Sequence, residues 1–170
     1  MSELTYPERL QGLSIPLARG ATYLSGPWHV MVQTRVIGVG LADFQLASRR
    51  VAAWQMHRDA GVRVDADAVA TEGSEVRMRI GAGPISIAAA CQVVAVVAEP
   101  REYGFAYGTL SGHPERGEEA FLVSWRADDM VVGSVAAFSQ PAQWYTKAGG
   151  PVTRTAQALA ARRYLAAMLP

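Results

Sequence analysis

The spacing of apolar and polar residues changes several times along the chain, and each change marks an element. From His29 to Ile37 the run His-Val-Met-Val-Gln-Thr-Arg-Val-Ile is β-rich and ends at Gly38. Phe44, Ala47, Val51 and Trp54 then recur at helical spacing, with Asp43 favouring the start, Arg58 the end and Gly61 the stop. Beyond Gly61 the pattern returns to strands, predicted at Val62 to Ala66, Ser74 to Ile80, Ile85 to Val97, Tyr103 to Leu110, Glu118 to Arg126 and Met130 to Ser139. Glu72-Gly73, Gly81 to Pro84, Glu99-Pro100, Ser111 to Gly117 and Asp128-Asp129 are the intervening turns. A loop containing Pro141 leads to Pro151, which opens an alanine-rich helix running to about Met168. Residues 1–27, with Pro7, Pro16, Gly20, Gly26 and Pro27, predict an N-terminal arm of short pieces laid on a core of residues 28–170, all within a single domain 1–170.

The order strand, helix, six strands, long helix predicts an α+β fold in which a curved antiparallel β-sheet grips the C-terminal helix (helix-grip, β-α-β6-α). A doubly wound fold is disfavoured because helical patterns do not alternate with the strands. This topology resembles that of the START and Bet v 1-like helix-grip proteins. The resemblance implies a hollow between sheet and helix that commonly holds a hydrophobic ligand.

Two alternating patterns, Tyr103/Phe105/Tyr107/Thr109 and Glu119/Phe121/Val123/Trp125, flank the Ser111 to Gly117 turn, so their aromatics fall on one face and line the interior. On a helical wheel of the last segment, Arg154 and Gln157 share the side of Leu165, Met168 and Leu169 and are expected to point at the sheet. A buried guanidinium needs a carboxylate partner, and Glu118 or Glu119 is the nearest candidate, since one of two successive strand residues must face inward. The alternative for Arg154 is to reach water along its stem.

His113, followed by Glu115, Glu118 and Glu119, has the residue types of a general acid/base group with carboxylate support. The competing reading is a loop histidine that pins its own turn through backbone hydrogen bonds. Gly38-Val-Gly40-Leu-Ala-Asp43 superficially resembles a dinucleotide fingerprint, but Asp43 would repel a pyrophosphate and no βαβ unit follows. Gly38 and Gly40 serve instead to turn the chain from strand into helix. His29, His57 and His113 lack metal-ligand spacing, and no Gly-x-Ser-x-Gly is present, so no metal site, cofactor or hydrolase triad is expected.

Composition narrows the field further. The chain has 170 residues, 50% of them hydrophobic, enough for a core without staples. Sixteen basic against fifteen acidic residues leave little long-range attraction for nucleic acid or anionic lipid. The apolar stretch Ile85 to Ala98, interrupted by Gln92, is shorter than the roughly 20 residues of a spanning helix. A single cysteine, Cys91, and an N-terminus carrying Glu3 and Glu8 rather than a secretory leader predict a cytoplasmic location.

Across nearly its whole length the chain resembles the uncharacterised "domain of unknown function 1990" family. The likeness is carried by Thr5-Tyr6-Pro7, Gly38-x-Gly40-x-x-x-Phe44-x-x-Ala47, Trp54, Cys91-x-Val93-Val94 and Gly104-Phe105-Ala106-Tyr107-Gly108-Thr109-Leu110-x-Gly112-His113-Pro114. It continues through Gly117-Glu118-Glu119-x-Phe121, Ala137-Phe138-Ser139-x-Pro141, Gly150-Pro151-x-x-Arg154-x-x-Gln157 and Arg163-Tyr164. It implies the extent of the fold and carries no functional residues with it.

The leading expectation is a protein that binds a small, partly apolar or amphipathic molecule between sheet and last helix, through Tyr107, Glu118 or Glu119, Arg154 and Gln157. Two alternatives stand beside it. One is an enzyme using His113, Glu118 or Glu119 as proton-transfer groups in the same hollow. The other is a protein–protein interaction module with a filled core that offers Trp28, Trp144 and Tyr145 to a partner.

Overall fold

The computed structural model describes residues 3–22, 24–81, 86–142 and 150–169, with residues 150–153 described by their backbone only. Strand β1 (His29–Val39) leads directly into helix α2 (Gly40–Ala52), whose Phe44, Ala47 and Val51 are buried. The Asp43 carboxylate accepts a hydrogen bond from the Val39 amide at 2.8 Å, so the strand-to-helix junction is closed by the protein's own anion. The helix expected to continue to Gly61 breaks at Trp54, which adopts φ 60°, and resumes as α3 (Gln55–Asp59). The break is a side-chain effect: it drops the indole into the core, fully buried and 4.7 Å from the Phe105 ring.

The meander follows as β2 (Val62–Ala66), β3 (Glu75–Ile80), β4 (Ile87–Glu99), β5 (Glu102–Thr109), β6 (Glu115–Trp125) and β7 (Met130–Pro141). Among the described residues the seven strands form one antiparallel sheet in the order β1-β7-β6-β5-β4-β3-β2. The loop before β6 is shorter than the Ser111 to Gly117 turn predicted. Glu115 and Arg116 already pair with Pro141 and Gln140 of β7, and Gly117 exchanges hydrogen bonds with the Thr109 hydroxyl. Helix α4 (Gly150–Ala167) closes the inner face, burying Ala161, Tyr164 and Leu165, with Met168 just beyond it. Each of the larger of these side chains contributes about 1.5–3 kcal/mol relative to exposure. Gly133 on β7 permits the approach: a Cβ there would stand 2.8 Å from Met168 Sδ and 3.2 Å from Leu165.

The outer face of the central strands is covered as well, by the N-terminal arm with its short helix α1 (Ser14–Ala18). Tyr6, Leu10, Ile15 and Leu17 pack on Ala106, Ala120, Leu122 and Phe138. The arm lies so close that a Cβ on Gly108 would sit 2.4 Å from the Tyr6 hydroxyl. A second core thus forms on the face away from α4.

Candidate functional site beneath the C-terminal helix

Alternation along β5 and β6 sets the site. In the antiparallel register Tyr107 pairs with Glu119 and Phe105 with Phe121, and all four side chains enter the inner face. The Tyr107 hydroxyl donates to Glu119 Oε2 at 2.9 Å, and His57 Nε2 lies 3.4 Å from the same hydroxyl. A phenol has one proton, and while it is donated to the ionised Glu119 carboxylate, His57 can meet the hydroxyl only as the Nε2–H tautomer. A chain of groups, imidazole to phenol to carboxyl, runs under α4.

Burial sets the protonation of every member. It raises the Glu119 carboxyl to about 7, a shift only partly offset by the Tyr107 hydrogen bond. It lowers His57 to about 3, with a smaller push from Arg58, so the imidazole is neutral. Tyr107 and Tyr164 are raised for the same reason and remain phenols. His57 Nδ1 and Trp54 Nε1 are buried with no hydrogen-bond partner among the described residues. Aromatic rings fill the space around His57: Phe121 lies at 4.8 Å, Tyr164 at 4.9 Å and Trp54 at 5.4 Å.

Tyr107, Glu119 and Tyr164 of this cluster line a partly open hollow of about 200 Å³ between sheet and α4. Met31, Met78, Ile80 and Ile87 supply apolar walls, and Ile80 and Ile87 are each 45% exposed. Glu119, Tyr107, Tyr164, Ser139 and Gln157 supply the polar groups. Glu119 lies deep beneath protein atoms and keeps part of its surface open to this hollow. A depression of about 530 Å³ along β2, β3 and β4 is lined by the exposed Arg63, Arg77 and Arg79 and by none of the groups with shifted protonation.

The structure brings together only some of the residues singled out from the sequence. Tyr107, Glu119 and Gln157 meet at the hollow, where the Gln157 amide donates to the Ser139 hydroxyl at 3.1 Å. Arg154 does not: it is exposed near the start of α4, outside the hollow, and its charge is felt by His29. A buried guanidinium without a partner is costly, and at the exposed start of the helix its charge stays within reach of water.

Glu118 is the second correction. Its side chain points to the opposite face of the sheet, where it accepts hydrogen bonds from the Tyr6 hydroxyl (2.6 Å), the Gly12 amide (2.8 Å), the Ser14 amide (2.9 Å) and the Ser14 hydroxyl. It clamps the arm instead of facing α4. His113 sits at the rim of the hollow with Nδ1 held in its own turn, 2.7 Å from the Glu115 carbonyl oxygen and 3.0 Å from the Glu115 amide. Burial lowers its pKa, against that backbone contact. Trp28 is half-buried and packs edge-on against Phe138 at 5.4 Å, while Trp144 and Tyr145 lie outside the described residues.

His57 was missed. Its sequence neighbourhood, Gln-Met-His-Arg-Asp, looks like an amphipathic helix end, and only the αL break at Trp54 turns it inward. No periodicity anticipates that turn.

The model of the "domain of unknown function (DUF1990)" family matches residues 17–167, which contain the hollow and its polar groups. The chain belongs to the DUF1990 family. Among proteins with curated records, a UPF0548 protein of Deinococcus radiodurans is 41% identical over 73 residues, 43% of this chain and 37% of that protein. A UPF0548 protein of Dictyostelium discoideum is 38% identical over 60 residues, 31% of this chain and 28% of that one. The matched segment therefore spans well under half the length of either relative.

Solved structures place this DUF1990 chain among the Bet v 1-like helix-grip folds. A hypothetical protein of Helicobacter pylori superposes over 99% of this chain and 95% of its own with a TM-score of 0.65 at 12% identity. Norcoclaurine synthase of Thalictrum covers 86% and 97% with a TM-score of 0.57 at 13% identity. Major latex-like protein 151 of Panax ginseng covers 85% and 100% with a TM-score of 0.52 at 15% identity. At these identities the likeness concerns the fold alone. Among the described residues no helix is long and apolar enough to cross a membrane.

Proposed function

We propose that the protein binds a small, partly apolar molecule in the hollow beneath α4. The observation that carries this reading is the cavity of about 200 Å³ in which apolar walls meet the convergent polar groups Tyr107, Glu119 and Gln157. A core filled for stability alone would favour apolar contact there, and a buried carboxyl costs free energy that a ligand's polar group offsets. Arg154 and Glu118 drop out of the binding set, the first exposed and the second engaged by the arm. A thermal-shift screen of metabolites and lipids against the wild type and Ala160→Phe tests the proposal, because Ala160 lines the hollow and a phenyl ring would fill it. Compounds are expected to stabilise the wild type and leave the filled variant unmoved. Equal effects on both proteins, or none on either, would refute it.

One observation favours a second reading, that of an enzyme. A carboxyl titrating at about 7, hydrogen-bonded to a phenol that a neutral imidazole contacts, is poised to accept or release a proton near neutral pH. Of the proteins sharing the fold, norcoclaurine synthase is a synthase whose structure holds a transition-state analogue. Mass spectrometry of each bound compound after incubation separates the two readings. An enzyme converts it, and Glu119→Gln loses conversion even at concentrations that saturate the variant; a carrier returns it unchanged.

A further inference from the structure

With Arg154 turned outward, the electrostatics of the hollow are the reverse of those expected from the sequence. Two carboxyl groups, Glu119 and Glu115, line it from the same strand, and no arginine or lysine is among its described lining residues. Glu115 Oε1 is buried and has no hydrogen-bond partner among the described residues. His57 carries no charge and lies against the Tyr107 hydroxyl, and Tyr107 in turn occupies only one oxygen of Glu119. Nothing among the described residues neutralises the hollow. A buried carboxylate in that state is completed by a cation that also donates hydrogen bonds. The open walls at Ile80, Ile87 and Met31 require the same ligand to carry an apolar body.

Resting on the binding reading above, we infer that the hollow selects a protonated amine attached to an apolar group, with Glu119 as the counter-ion and Tyr107 as its positioning partner. Its size suits a single ring with a short tail: cavities of about 150 Å³ already accept benzene. A carboxylate ligand would face two like charges.

The pH behaviour follows from every group facing Glu119. Tyr107 from β5, Cys91 from β4 and Tyr164 from α4 all have raised pKa values and stay neutral, and burial keeps His57 from α3 neutral as well. On Glu119's own side, burial raises Glu115, partly offset by Ser139, and lowers His113 at the rim. Amine binding therefore strengthens as pH rises and Glu119 ionises.

Three probes of matched shape, 2-phenylethylamine, 2-phenylethanol and phenylacetate, test this by titration calorimetry on the whole chain. The amine is expected to bind at least roughly tenfold more tightly than the alcohol at pH 8, with phenylacetate weakest. Between pH 8 and 5.5 amine affinity should fall about 30-fold, following the ionised fraction of a carboxyl at about 7, while alcohol affinity holds. Glu119→Gln should erase the amine's advantage and keep the alcohol, which also shows that the variant folds. Ala160→Phe should lose both.

If the alcohol or the acid matches the amine in the wild type and Ala160→Phe abolishes their binding, the charge preference is wrong and the binding reading stands. Amine binding that survives both substitutions marks attachment elsewhere and overturns the inference. Failure of all three probes to bind the wild type at millimolar concentration overturns both.

Discussion

Trp54 shows how one residue can set a site. A bulky side chain at φ 60° pays backbone strain on the order of 1–3 kcal/mol, and complete burial of the indole against Phe105 offsets it. The same turn carries His57 inward to Tyr107. The titration of His57 and Glu119 gives a prediction whose signs can be worked out. Glu119 goes from 4.5 unfolded to about 7 folded, so its contribution is complete below pH 4.5 and lost as pH rises through 7. His57 goes from 6.5 to about 3, so its contribution is complete above pH 6.5 and lost as pH falls through 3. Between pH 4.5 and 6.5 the two oppose each other. In urea unfolding, Glu119→Gln should therefore gain a rising slope over that window relative to wild type, and His57→Phe a falling one, each about 1.4 kcal/mol per pH unit at most. Parallel profiles for all three proteins would show that these groups do not titrate as their burial implies. At this scale, strand alternation showed that one of Glu118 and Glu119 faces inward without choosing between them, whereas the place of His57 was not legible, because a left-handed residue resets helical phase without a sequence signal of its own.

Elements divide the work between the two faces of the sheet. Successive residues Glu118 and Glu119 go to opposite sides, one holding the arm and the other lining the hollow. Removing the Glu118 carboxylate leaves the Gly12 and Ser14 amides without their acceptor, and the arm is expected to detach before the sheet unfolds. In Glu118→Ala, trypsin should cut after Arg9 and Arg19 several-fold faster than in wild type, with a lowered Tm. Unchanged cleavage would mean that the apolar contacts of Tyr6, Leu10 and Leu17 hold the arm unaided. The strands and the final helix could be read from period alone. The arm's docking face could not, since Pro7, Gly12 and Pro16 break any repeat and its partners lie about a hundred positions away.

For the molecule as a whole, a ligand that binds only the folded state raises stability by mass action. At a hundred times its Kd the gain is about 2.7 kcal/mol, or roughly 5–10 °C in Tm for a chain of this length. A compound that occupies the hollow should show this concentration dependence in calorimetric scanning, and a flat response at saturation would argue against binding there. The sequence by itself determined the helix-grip architecture, because hydrophobic period, turn residues and element order are local properties that few topologies satisfy together. The polarity of the hollow was decided only by tertiary structure. A wheel placed Arg154 on the buried side with Leu165 and Met168, but a wheel does not say where along its length a helix comes under the cover of the sheet, and residues 154–156 are all exposed. Deep burial of this segment begins only at Ala161 and continues through Leu165 and Met168, the last two packed close to Gly133 of β7, and this left carboxyl groups without a guanidinium to line the interior.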